Sequence, residues 1–331
     1  MRVLRPPTRV SVDCLSRDGG FALFTIGPKL CVWNLATDQS AELAVQPPRG
    51  TRPEGLSMCG TRLLVGYSDS TARVFSTNTG ACIAVLTGHM HSVSACFISA
   101  DGHRALTGDA EGGVRLWDVN GEFCLHEFQG HASQNTAVCL AHHADLAATA
   151  SRAGYVCVWN LQTRACLHDL RMHQFAVNAV CFSPDDTKLG TASSDCSAGV
   201  WDVITGEYLR EFKGHRVDVW GMQFFTVRQQ LMCVTCYLDR TVRVWDYESR
   251  ECVRVWEGHE RDVTAVCVPP QTKKVLSASL DGTVREWELQ SQSEKAMLSV
   301  QEALPQSALG KFWARDGDHA IAHRVMGFVG F

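Results

Sequence analysis

The 331-residue sequence predicts an all-β fold assembled from repeats of about 42 residues, and three observations predict it. Short strings centred on an aromatic residue recur: VWNL at Trp33, VFST at Phe75, LWDV at Trp117, VWNL at Trp159, VWDV at Trp201, VWDY at Trp245 and EWEL at Trp287, spaced by 42 residues with one gap of 44. Upstream, a Gly-His dipeptide or its remnant places His89, His131, His173, His215 and His259 28 residues before their tryptophans, or 30 in the long repeat. Between these marks lie short β-rich runs such as VNAVCF, KLGTAS and TVRVW, separated by polar turns such as SPDD and LDGT. That texture gives about four strands per repeat. The two extra residues of the long repeat fall in a loop around Gln229 and Gln230. Radial repetition is one way for an all-β chain to avoid long unpaired sheet edges, although the period alone fits a β-solenoid as well as a ring.

Composition narrows the function classes. Charged residues make up 20% and the formal net charge is −4, so the cationic excess that draws a chain to phosphate backbones or anionic membranes is missing. Neither nucleic-acid binding nor membrane insertion is expected. The opening MRVLRPPTRV lacks the apolar core of a signal peptide, and no window reaches the roughly 20 apolar residues that cross a bilayer. The expectation is a soluble, intracellular protein of the cytoplasm, with the nucleus also open.

These repeats resemble the WD-repeat (WD40) family, whose unit runs from a Gly-His dipeptide to a Trp-Asp dipeptide. The resemblance implies a β-propeller of four-stranded antiparallel blades around a central channel, the last strand of each repeat lying outside the preceding blade. It also implies a buried network in each blade, joining the histidine, a Ser or Thr on the second strand, an Asp in the following turn and the tryptophan. His173, Asp195 and Trp201, then His215, Asp239 and Trp245, then His259, Asp281 and Trp287 match this pattern fully. Repeat three has Glu111 at the Asp position and repeat four has Ala153; repeat two has Asp69, but Pro47 for the histidine and Phe75 for the tryptophan. Because a half-satisfied buried network costs more than none, half of the ring is expected to be less firmly tied.

A His and an Asp 22 residues apart suggest part of a hydrolase triad, yet the pair recurs in three repeats and an active site is not normally repeated around a ring. With no GxSxG, HExxH, Walker-A or dinucleotide fingerprint, no catalytic residue, cofactor or metal is expected. Cys82, Cys124, Cys166 and Cys252 each follow the signature aromatic by seven residues, and Cys139, Cys181 and Cys267 each follow the histidine by eight. Equivalent positions on different blades are held apart, which points to reduced, packed thiols and a reducing compartment. Cys233 and Cys236 form a CxxC, but in a strand an i,i+3 pair points to opposite faces.

The ends bear on closure. KFWARDGDHAIAH near the C-terminus resembles DCLSRDGGFALF near the start, and matching Asp316 to Asp18 sets Phe331 against Trp33. This register favours eight blades over seven: one propeller across 1–331, with seven full repeats in 8–303 and a partial eighth in 304–331 closed by residues 1–5. A fragment of a longer array, such as the repeat region of a NACHT and WD-repeat protein, is the other arrangement left open.

For function, the resemblance places three positions per repeat on the ligand-binding end: three and five residues after the histidine, and the residue before the turn aspartate. Most are small and polar, including Ser92, Ser94, Gln134, Thr136 and Asn178. Trp220, Leu238 and Leu280 differ, being large and apolar on adjacent blades, with Asp218 and Asp262 beside them. The expected function is a non-catalytic scaffold or adaptor that binds other proteins or peptides there. The alternative is a reader of modified or phosphorylated peptides, using the guanidinium groups of Arg52 and Arg152.

Overall fold

The computed structural model describes residues 2–6, 12–16, 18–26, 29–42, 51–143, 145–212, 217–270 and 272–289, and every regular element among them is a strand. The strands form seven four-stranded antiparallel sheets. Their inner strands, for blades one to seven, are Val12–Leu15, Pro53–Cys59, Val93–Ile98, Asn135–Leu140, Val177–Phe182, Val219–Val227 and Val263–Cys267. All seven border one cavity of about 370 Å³, the central channel of a propeller. The outer strand of a blade belongs to the next sequence unit, as expected: Cys82–Thr87 completes blade two before the chain enters blade three.

The signature aromatic is the packing wedge between blades. Trp117 is buried among Leu64, Val74, Ala84 and Leu86 of blade two, Trp159 among Leu106, Val114 and Phe128 of blade three, and Trp201 among Ala148, Val156 and Val158 of blade four. Each therefore removes a large apolar surface from water at an interface between sheets. This explains why the aromatic recurs once per blade and why both faces of the sheets are apolar. The second strand of blade two, Arg62–Tyr67, has five of its six residues buried.

In blade six the inner hairpin is longer. Val227 pairs with Gln230 across a tight turn at Arg228 and Gln229, which have φ of 48° and 67°. Positive φ at both central residues matches the right-handed twist of the flanking strands. The two extra residues of the long repeat lengthen this hairpin and leave the ring undisturbed.

Ring closure corrects the expectation of eight blades. Residues Arg2–Leu4 form a strand that pairs antiparallel with Val284–Glu288, setting Arg2 opposite Glu286 and Leu4 opposite Val284, and so completes the seventh sheet. Blade seven then packs directly on blade one: Leu4, Cys267, Leu276, Ala278 and Val284 share a buried cluster with Leu15, Ala22, Phe24 and Trp33. The Cys267 thiol also reaches the Ser16 carbonyl at 3.2 Å. With this interface closed, no gap remains for an eighth blade. Residues 304–331, assigned to that blade from the sequence, lie outside the described residues.

Candidate functional site

Buried hydrogen-bond networks tie the strands of the blades that carry the candidate residues. In blade five Trp201 Nε1 donates to Thr191 Oγ1 at 3.1 Å, Thr191 lies 2.7 Å from His173 Nε2, and His173 Nδ1 lies 2.8 Å from Asp195. Blade seven repeats this with Trp287, Ser277, His259 and Asp281 at 2.8, 2.7 and 2.9 Å. Burial pushes the His259 imidazole below its usual range, against the pull of Asp281. Burial pushes the Asp281 carboxyl upward, but hydrogen bonds from Thr283, the Glu260 amide and His259 outweigh it and hold the group at about 2. A neutral histidine beside an ionised aspartate satisfies every group in one direction: indole N–H to hydroxyl oxygen, hydroxyl to Nε2, Nδ1–H to carboxylate.

Blade three departs from the sequence-based expectation. His89 Nδ1 lies 2.9 Å from Asp109, while Nε2 and the Trp117 indole share Thr107 at 2.7 Å each, so the network is complete without Glu111. Asp109 stands two residues before Glu111, at the strand end occupied by Ser193 and Ser279 in blades five and seven. Blade four keeps Trp159, Thr149 and His131 but has no carboxylate, and His131 Nδ1 faces the Cys157 thiol at 3.9 Å.

Blade six differs again. Trp245 donates to Thr235 at 2.7 Å, and the Tyr237 hydroxyl donates to the same oxygen. Asp239 accepts from Thr241 at 2.6 Å and pairs with Arg243 at 3.2 Å. His215, assigned to this network from the sequence, lies outside the described residues, as does Pro47 of repeat two. Asp69 makes the same contacts as Asp239, with Thr71 and Arg73. In blade one the Trp33 indole is satisfied locally by Asp38 at 3.0 Å.

At the ligand-binding end implied by the family pattern, one backbone bond recurs in six blades. Ser68 N–H donates to Arg52 O, Ala110 to Ser92, Arg152 to Gln134, Ser194 to Ala176, Leu238 to Asp218 and Leu280 to Asp262, at 2.9 to 3.3 Å. These pairs therefore occupy equivalent positions on one end of the ring. The residue five after the histidine is a β-bulge in blades three to seven: Ser94, Thr136, Asn178, Trp220 and Thr264 each interrupt the ladder of the inner strand. Bulges re-aim side chains. In blades three to five the bulged side chain is polar and stitches to the next blade: Ser94 to Asn135 O at 2.7 Å, Thr136 to Val177 O at 2.5 Å and Asn178 to Val219 O at 2.9 Å.

In blade six that position holds Trp220, which is 43% exposed and lines the channel. Trp220 and Leu238 flank the paired residues Val219 and Tyr237, and half-buried Leu280 has the equivalent position to Leu238 on blade seven. Asp218 and Asp262 are partly exposed, with no ion pair among the described residues. Arg52 and Arg152 are exposed but stand on blades two and four, and Arg152 contacts only Gln134, at 3.4 Å, among the described residues. Two further apolar residues escaped the sequence reading: Met90 and Phe175, 83% and 60% exposed, in the loops that follow His89 and His173. A large apolar residue one or two positions after the network histidine was their signal.

None of the 15 cysteines forms a disulfide. Cys233 and Cys236 are fully buried, and burial raises both thiols, Cys236 to about 12. Among the described residues no group of three or more His, Cys, Asp or Glu is arranged to hold a metal ion. No helix among them is long and apolar enough to cross a membrane.

Fold and networks together define a seven-bladed propeller whose signature tryptophans are each tied to a hydroxyl or carboxylate acceptor. The chain matches the family model "WD domain, G-beta repeat" over residues 80–118, 122–160, 164–202, 206–246 and 250–288, more than half of its length, and it belongs to that family. Comparison with curated proteins found no match. Propellers of this family commonly serve as protein-interaction scaffolds.

Proposed function

We propose that this propeller is a non-catalytic adaptor that captures a protein partner at the channel mouth, with Trp220 as its central anchor. One observation carries the reading: where blades three to five use a polar bulge residue for a hydrogen bond to the next blade, blade six presents a half-exposed indole beside the channel. An indole held by its own strand offers a large rigid surface at little entropic cost, which is why such residues dominate interface energetics. Leu238 and Leu280 extend the apolar area, and Asp218 and Asp262 supply a charged rim; exposed Phe175 stands on the neighbouring blade. Two of the His/Asp pairs that suggest catalysis, His173 with Asp195 and His259 with Asp281, are used inside the blades, at hydrogen-bond distance from each other and from structural partners. Arg52 and Arg152 stand two blades apart, so the scaffold reading is preferred to a phosphopeptide reader.

The test is quantitative affinity purification with wild-type, Trp220→Ala and Ser92→Ala chains. Trp220→Ala is expected to weaken capture of the main partner by roughly thirtyfold, equivalent to about 2 kcal/mol, with its melting temperature nearly unchanged. Ser92→Ala, on the polar side of the ring, binds as wild type. A folded Trp220→Ala chain that retains its partners contradicts the assignment.

A further inference from the structure

Blade four carries an arrangement of thiols that no other described blade has. Two positions lie diagonal to each other on one face of the third and outer strands in every blade from three to six. The first lies two residues before the tryptophan and the second seven residues after it. In blade five they are Gly199 and Tyr208, where a Cβ on the glycine would stand 2.8 Å from the tyrosine ring. In blade three they are Arg115 and Cys124, the guanidinium lowering the thiol against the effect of burial, and in blade six Arg243 and Cys252. In blade four both are cysteines, Cys157 on Tyr155–Asn160 and Cys166 on Cys166–Arg171.

The strand register puts the two cysteines on one face of neighbouring strands, Cys157 directly opposite Asp169 and diagonal to Cys166. Trp159 is opposite Cys166, and Cys157 shares the face of Trp159 because alternate residues of a strand do so. The bulge between Val158 and Trp159 offsets the ladder at this point, and each thiol acts on the ionisation of the other. Cys166 is exposed, whereas Cys157 is 7% exposed. The third participant is His131, whose Nδ1 lies 3.9 Å from the Cys157 sulfur. In blades three, five and seven this nitrogen faces a carboxylate; here Ala153 leaves the thiol as its neighbour. With the Trp159 indole donating to Thr149, and the Thr149 hydroxyl to His131 Nε2, Nδ1 carries the proton that faces sulfur.

We propose that Cys157 and Cys166 are a reversible disulfide pair that exchanges with small aliphatic disulfides, Cys166 being the entering thiol and Cys157 the resolving one. The Cys166 thiolate attacks one sulfur of the small disulfide, forming a mixed disulfide and releasing one small thiolate. The Cys157 thiolate then attacks Cys166 Sγ, the bond from that sulfur to the small group breaks, and a second small thiolate leaves. The two protons lost by the cysteines end on the two small thiols. Two protein thiols are thereby oxidised and one small disulfide is reduced. The His131 N–H is placed to stabilise negative charge on Cys157 sulfur before attack. Burial raises both thiols, Cys157 to about 12, which makes exchange slow at neutral pH.

The experiment treats the folded full chain with oxidised glutathione at mildly alkaline pH, blocks residual thiols with N-ethylmaleimide, and maps tryptic peptides without reduction. Cleavage after Arg152, Arg164 and Arg171 places the two cysteines on separate peptides, 153–164 and 165–171. The expected product is those peptides joined by a disulfide; in Cys157→Ser, peptide 165–171 instead keeps the glutathione adduct. Cys252, exposed on the equivalent strand opposite Trp245, supplies the reference for an adduct that cannot resolve. If wild-type peptide 165–171 holds the adduct while 153–164 is alkylated, the proposal is overturned. The wild-type map decides this even if the serine variant does not fold.

Discussion

Asp109 and Glu111 stand two residues apart in blade three, and only the first reaches His89. The repeat register aligns Glu111 with Asp195 and Asp281, so a reading by position selects the wrong carboxylate. The network depends on where an oxygen arrives, and a carboxylate at the strand end arrives as well as one from the turn. Removing it leaves the buried His89 N–H without an acceptor, so Asp109→Ala is expected to cost about 1–3 kcal/mol. Glu111 is exposed and should change stability by no more than about 0.5 kcal/mol when truncated. Urea midpoints of the two variants check this, and equal shifts would contradict the assignment. The networks of blades five and seven were legible because their histidine, aspartate and tryptophan keep fixed spacing. The use of Ser94, Thr136 and Asn178 as stitches was not, because it depends on bulges that composition does not reveal.

At the scale of the element, blades two and six are variants of one design. Each carries a tyrosine on its second strand, Tyr67 or Tyr237, two residues before the turn Asp69 or Asp239. In blade six the Tyr237 hydroxyl donates to Thr235, which also receives the Trp245 indole. In blade two Val65 replaces the threonine and Phe75 the tryptophan, so donor and acceptor are lost together. The Tyr67 hydroxyl is then buried without a hydrogen-bond partner among the described residues. Deleting a hydroxyl has opposite consequences in the two settings. Tyr237→Phe should destabilise by about 1 kcal/mol, whereas Tyr67→Phe should leave stability unchanged or raise it, because an unmade buried hydrogen bond is itself a cost. Paired thermal melts distinguish them; a loss from Tyr67→Phe as large as that from Tyr237→Phe would show that Tyr67 has a partner. The sequence shows both tyrosines, but only packing shows which hydroxyl is satisfied.

For the whole molecule, repeat length and strand number were legible and closure was not. Likeness between the C-terminal segment and the first repeat is a statement about residue types, and it does not determine which edge a three-residue strand joins. Burial determines it: Leu4 is 4% exposed in the cluster that unites blades one and seven. The channel, the common end of the blades and the placement of Trp220 all rest on that closure. Thermal melting of a chain ending at residue 289, beside one lacking residues 1–5, tests it most directly. Seven-bladed closure predicts that 1–289 melts in one cooperative transition close to the full-length temperature. The chain without residues 1–5, losing buried Leu4 and exposing the edge of Val284–Glu288, should melt several degrees lower, since removing one buried leucine side chain costs about 2–5 kcal/mol. An unfolded 1–289 chain, or full stability without residues 1–5, would contradict it.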